Sequence, residues 1–71
     1  MLEDFYKETL NAFADNNMDV SKTARQLYLH RNTMVYRLER IKIQTGLNPY
    51  KFHELVKLLE LYGKEDRDEI N

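Results

Sequence analysis

The residue types able to do chemistry are concentrated between positions 20 and 42. The run reads Val20-Ser21-Lys22-Thr23-Ala24-Arg25-Gln26-Leu27-Tyr28-Leu29-His30-Arg31-Asn32-Thr33-Met34-Val35-Tyr36-Arg37-Leu38-Glu39-Arg40-Ile41-Lys42. Past Val20 it carries Lys22, Arg25, Arg31, Arg37, Arg40 and Lys42 against Glu39, a local charge of +5. Residues 1–20 sum to −4, residues 43–59 to +1 and residues 60–71 to −3. The net charge of −1 therefore conceals a basic block between acidic ends. Such a block presents a local positive field to a polyanion. Guanidinium and ammonium groups suit phosphate oxygens, and amide, imidazole and hydroxyl groups suit base edges. A solvated basic helix has the same composition, so charge alone leaves the two readings level.

Other chemistry finds little support. His30 and His53 are the two histidines, and neither has a carboxylate at helical spacing to orient it; Glu54, next to His53, points elsewhere. Phosphate-binding glycine loops, metal-ligand spacings and nucleophile motifs do not occur, so neither catalysis nor a cofactor or metal is expected. The absence of cysteine excludes disulfides and thiolate metal sites and fits a reducing compartment. No apolar run approaches the roughly 20 residues of a membrane span, and the acidic Met1-Leu2-Glu3-Asp4 start is unlike a signal peptide. A cytoplasmic protein is expected. A chain of 71 residues is one domain, 1–71, in which folding buries only roughly 60% of the unfolded surface. A binding module is favoured over an enzyme on size.

The elements that position the basic block follow from helical periodicity and punctuation. A first helix is predicted over about 2–14, with Leu2, Tyr6, Thr9, Leu10 and Phe13 on one side and Phe5 on the flank. Asp15, Asn16 and Asn17 end it, and Asp19 caps a second helix over about 20–28 with the stripe Val20, Ala24 and Leu27. A third helix is predicted over 31–45, with Met34, Leu38 and Ile41 inward and Gly46 at its C-terminal end. Asn48 and Pro49 read as cap and first residue of a fourth helix over 49–62, stopped by Gly63. Residues 64–71 form a charged tail. The fold class is all-α.

Two helices joined by a turn of about three residues are the geometry in which the first braces the second across a major groove. Ala24 is small where the two cross, and Leu29 joins Leu27, Met34 and Leu38 in the shared contact. At about 100° per residue, Asn32, Tyr36, Glu39, Arg40 and Ile43 lie opposite the core stripe of the third helix. His30, Arg31, Asn32, Thr33 and Tyr36 are the candidates for base or near-base contact. Ser21, Lys22, Thr23, Arg25, Arg37 and Arg40 are the candidates for phosphate contact. His30 serves equally well as a helix cap, and both roles stay open.

These residues resemble a known family. The runs Thr23-Ala24-Arg25-Gln26-Leu27, Leu29-His30-Arg31-Asn32-Thr33-Met34 and Tyr36-Arg37-Leu38 resemble the C-terminal helix-turn-helix of PucR-type and sugar-diacid (CdaR-type) bacterial transcription regulators. Thr45-Gly46-Leu47 before a last amphipathic helix matches as well, and the likeness extends over about residues 2–62. A more distant likeness is to Fis-like, homeodomain-like four-helix domains. The resemblance implies double-stranded DNA binding by the third helix, association as a homodimer, and a place at the end of a longer regulator with a fused sensing domain. One departure is Tyr28, where the turn often has Gly. A left-handed Tyr is strained, so a turn of another shape is expected.

The fourth helix supports a second reading, a module that docks a protein partner. Phe52, Leu55, Val56, Leu59 and Tyr62 are taken as its core stripe. Leu58 and Leu61 then lie off that stripe and are assigned to a dimer interface.

Overall fold

The computed structural model describes residues 2–63, and the charged tail predicted over 64–71 lies outside them. The described residues form four helices and no strand: α1 (Asp4–Asp15), α2 (Val20–Gln26), α3 (Arg31–Thr45) and α4 (Phe52–Tyr62). α1 packs against each of the other three, α2 packs most extensively on α3, and the backbone of α4 approaches α1 alone among the helices. The core is one cluster that includes Leu10 and Phe13 of α1, Ala24 of α2, Met34, Leu38 and Ile41 of α3, and Leu55 and Leu58 of α4. Leu2 is buried with them although it precedes α1.

The junctions show why the chain turns where it does. After α1, Asn17 and Met18 take left-handed backbones with φ of 57° and 65°. Asn accepts that conformation through its short polar side chain. Met18 adopts it while its side chain packs on the core, and its N–H donates to the Phe13 carbonyl at 2.8 Å. Asp19 then caps α2 as expected, its Oδ1 accepting from Lys22 N at 2.9 Å. Gly46 closes α3 at φ 78°, a conformation that costs a residue without Cβ little.

Two expectations fail here. Asn48 and Pro49 do not start α4. The Asn48 Oδ1 accepts from Tyr50 N at 2.9 Å and its carbonyl accepts from Lys51 N at 3.0 Å, so Asn48 folds a tight turn. Pro49 is buried in that turn, and α4 begins three residues later than predicted, at Phe52. Glu54 reaches back from the first turn of α4 to accept from Asn48 N at 2.6 Å.

The rotational setting of α4 is the second correction. Leu58 is fully buried, whereas Phe52 is 63% exposed. Seven of the eleven residues of α4 are apolar, a stripe so wide that more than one rotational setting satisfies it. Leu58 is therefore removed from the dimer interface. Leu61 is exposed as expected, but Phe52 and Leu61 stand about 180° apart around the helix, so they do not form one patch.

These placements separate two substitutions. Leu58→Asp puts a carboxylate in the core of a domain whose total stability is of order 3–5 kcal/mol, and its helical circular dichroism at 25 °C is expected to be lost. Leu61→Asp is expected to keep the unfolding free energy measured in urea within about 0.5 kcal/mol of the parent. A folded Leu58→Asp variant would contradict the packing described.

Candidate nucleic-acid interface

α3 is divided lengthwise. Met34, Leu38 and Ile41 have no exposed surface, while Tyr36 and Ile43 are 62% and 61% exposed on the other side, together with Asn32, Thr33 and Glu39. A mostly polar row, interrupted by Ile43, thus faces solvent on a helix whose opposite face is locked into the core.

The N-terminus of α3 is held at two points. His30 is its N-cap, with Nδ1 accepting from Asn32 N at 3.1 Å. The capping role is therefore met, and it places the ring proton on Nε2. The ring remains exposed, so capping with one nitrogen leaves the other directed away from the helix end. Arg31 Nε donates to Ser21 Oγ at 3.3 Å, tying the first turn of α3 to the first turn of α2. Tyr50 packs edge-on to Phe13 with ring centroids 6.0 Å apart. Burial pushes its phenol above the ordinary tyrosine value, Arg31 acts against that shift and Glu39 adds to it.

The cations divide into two groups. Lys22, Arg25, Arg31 and Lys42 are exposed, and Arg37 and Arg40 are half-buried. Among the described residues the ion pair is Lys7–Asp4, on α1, at 3.8 Å, so none of these six is paired with a carboxylate there. Arg37 is oriented by other means: Nη1 donates to Thr9 Oγ1 at 3.2 Å, and Cζ lies 4.9 Å from the centroid of the Phe5 ring. The residue types and spacings of α1 carry no sign of this partnership, because the two partners lie 32 and 28 positions before Arg37.

Thr23 is a correction. It is fully buried, and its hydroxyl donates to the Asp19 carbonyl at 2.7 Å, so it does not reach a phosphate. Leu29 is only half-buried and stays outside the core cluster, where a shared contact between α2 and α3 was expected. The turn also departs from its expected shape: Tyr28 does take the left-handed conformation, at φ 59°, and ends α2 two residues early. Its N–H donates to the Arg25 carbonyl at 3.1 Å, and the next N–H, of Leu29, donates to the Ala24 carbonyl at 2.8 Å. Those two bonds hold a strained residue whose own side chain is 95% exposed.

Among the described residues no group of three or more histidine or acidic side chains is placed to hold a metal ion, and no helix is long and apolar enough to cross a membrane. A short helix and a longer one joined by a tight turn, with a largely polar outer face on the second and cations on both that have no carboxylate partner among the described residues, define a helix-turn-helix domain. The chain belongs to the family of PucR C-terminal helix-turn-helix domains, whose model matches residues 6–61. It is 47% identical over 38 residues to the purine catabolism regulatory protein of Bacillus subtilis (strain 168), covering 54% of this chain and 7% of that protein. It is 38% identical over 52 residues to the carbohydrate diacid regulator of Escherichia coli (strain K12), covering 73% of this chain and 14% of that protein. The chain thus spans from 7% to 14% of the length of these two relatives. No solved structure gives a significant match.

The strain at Tyr28 generates a test. Tyr28→Gly is expected to raise stability in urea by about 0.5–1 kcal/mol, because relief of the left-handed backbone outweighs the added freedom of the unfolded chain. A loss of stability would mean that the exposed ring makes a contact the geometry does not reveal.

Proposed function

We propose that this domain binds double-stranded DNA sequence-specifically as the DNA-binding part of a bacterial transcription regulator, with α3 in the major groove. One observation carries the reading: α2 and α3 carry six cations without a carboxylate partner among the described residues, and α3 presents a largely polar face whose reverse is immobilised in the core. Asn32, Thr33, Tyr36, Arg31 and the outer nitrogen of His30 are the groups proposed to meet base edges. Asn is suited to adenine N6 and N7, and Arg to guanine O6 and N7. Glu39 is suited to accept from a cytosine amino group. Ser21, Lys22, Arg25, Arg37 and Arg40 are proposed to contact phosphates and fix the register. Family membership supports this reading, as do relatives named as regulators.

One recognition helix reads only a few base pairs, so the assembly proposed is a homodimer on two half-sites about 34 Å apart. Leu61 remains a candidate for the contact between copies, and Leu58 does not. The relatives are much longer than this chain, which supports a fused sensing domain in the full regulator; a cytoplasmic place of action goes with the proposed binding of bacterial DNA. The reading as a protein-docking module loses ground, because the apolar surface on which it rested is partly core and partly divided between two sides of α4.

Binding of a duplex selected from a random pool, measured across a salt series, tests the reading. Arg40→Ala is expected to weaken binding to all sequences alike and lower the log–log salt slope by about 1 per copy. Asn32→Ala is expected to keep that slope and lose about 1–3 kcal/mol of discrimination at one base pair. Salt-insensitive binding, or none, would contradict the proposal.

A further inference from the structure

Arg37 is the one cation of the basic block held by α1. The Phe5 ring lies under its guanidinium at 4.9 Å, and the Thr9 hydroxyl accepts from Nη1 at 3.2 Å. That hydroxyl is itself fixed, because it donates to the Phe5 carbonyl at 2.7 Å and Thr9 is fully buried. Phe5 is 44% exposed, so its ring contributes little to the core. It stands against Tyr6, with ring centroids 4.4 Å apart, which steadies its outer position.

This arrangement aims a charge without neutralising it. A guanidinium has five N–H donors, and Thr9 takes one. An aromatic face attracts the cation through its quadrupole while leaving the edge donors free. An arginine serving only to fasten two helices would more naturally end on a carboxylate, and among the described residues it has none. A long side chain loses rotamer freedom when it docks on an anion, and one already stacked has less to lose.

We propose that Phe5 and Thr9 are positioning residues that preorganise Arg37 for a backbone phosphate, making the first turns of α1 part of the DNA interface. This rests on the DNA-binding reading above. The geometry also separates Arg37 from Lys22 and Arg25, which have no such support and supply charge without a fixed direction.

A double-mutant cycle tests it, read by binding to a fluorescein-labelled mixed-sequence duplex across a salt series, with urea stability measured in parallel. Arg37→Ala is expected to lower the salt slope by about 1 per copy. Phe5→Leu is expected to weaken binding about 3- to 10-fold with the slope unchanged, since the phosphate contact survives but is less prepared. In the Arg37→Ala background Phe5→Leu is expected to have no further effect. Phe5→Trp, which keeps an aromatic face, is expected to retain the parent affinity. A loss of affinity from Phe5→Leu that persists in the Arg37→Ala background would overturn the proposal, as would no loss in either background. If Arg37→Ala leaves the slope unchanged while Arg40→Ala and Lys22→Ala lower it, the proposal fails and DNA binding stands. If none of the three lowers it, both fail.

Discussion

The arrangement depends on the complete burial of Met34, Leu38 and Ile41. These residues fall three or four apart, so burying them fixes the roll of α3 about its own axis. Once the roll is fixed, the direction of Asn32, Tyr36 and Arg40 follows without any contact among them. The core cluster places each stripe residue at the level of roughly 1.5–3 kcal/mol of transfer free energy. The polar face is therefore free to be chosen for recognition, because the reverse face alone settles the orientation.

α1 turns that orientation into a rigid frame. It packs on α2, α3 and α4, and its C-terminal end is joined to α2 by Asn16 Nδ2 donating to Gln26 Oε1 at 2.7 Å. α2 is only seven residues long, too short to persist without its neighbours. Its position comes from the Asp19 cap, from Ala24 in the core and from the bond between Arg31 and Ser21. α2 and α3 are thus fastened to each other at their N-terminal turns, where the proposed DNA contacts are densest.

Much of this was legible in the sequence, for reasons that differ by position. α3 was read to its final residue because its inner stripe is narrow and Gly46 marks its end, while the capping role of His30, left open by the sequence, is settled by its bond to Asn32 N. The Asp19 cap and the small residue Ala24 were legible because each does one local job. Thr23 was misassigned because a helical threonine is as able to bond the carbonyl four residues back as to face outward, and burial decides which. Asn48-Pro49 was misread because an Asx turn and a helix cap use the same side-chain oxygen. α4 was misphased because leucines surround most of it. Tyr28 was expected to avoid the left-handed region on local grounds, but the two backbone bonds that close the turn hold it there. The support of Arg37 by Phe5 and Thr9 depends on the packing of α1 against α3, which residue spacing does not encode.

The central claim is that the outer face of α3, with the first turn of α2, is the surface that meets DNA. Backbone amide chemical-shift changes during titration with a selected duplex test it most directly. The account predicts the largest changes at Ser21, Lys22 and Arg31 through Tyr36, with Phe52 and Leu61 of α4 unmoved at the concentrations where the first group saturates. Changes centred on α4, with Asn32 and Tyr36 unaffected, would contradict it.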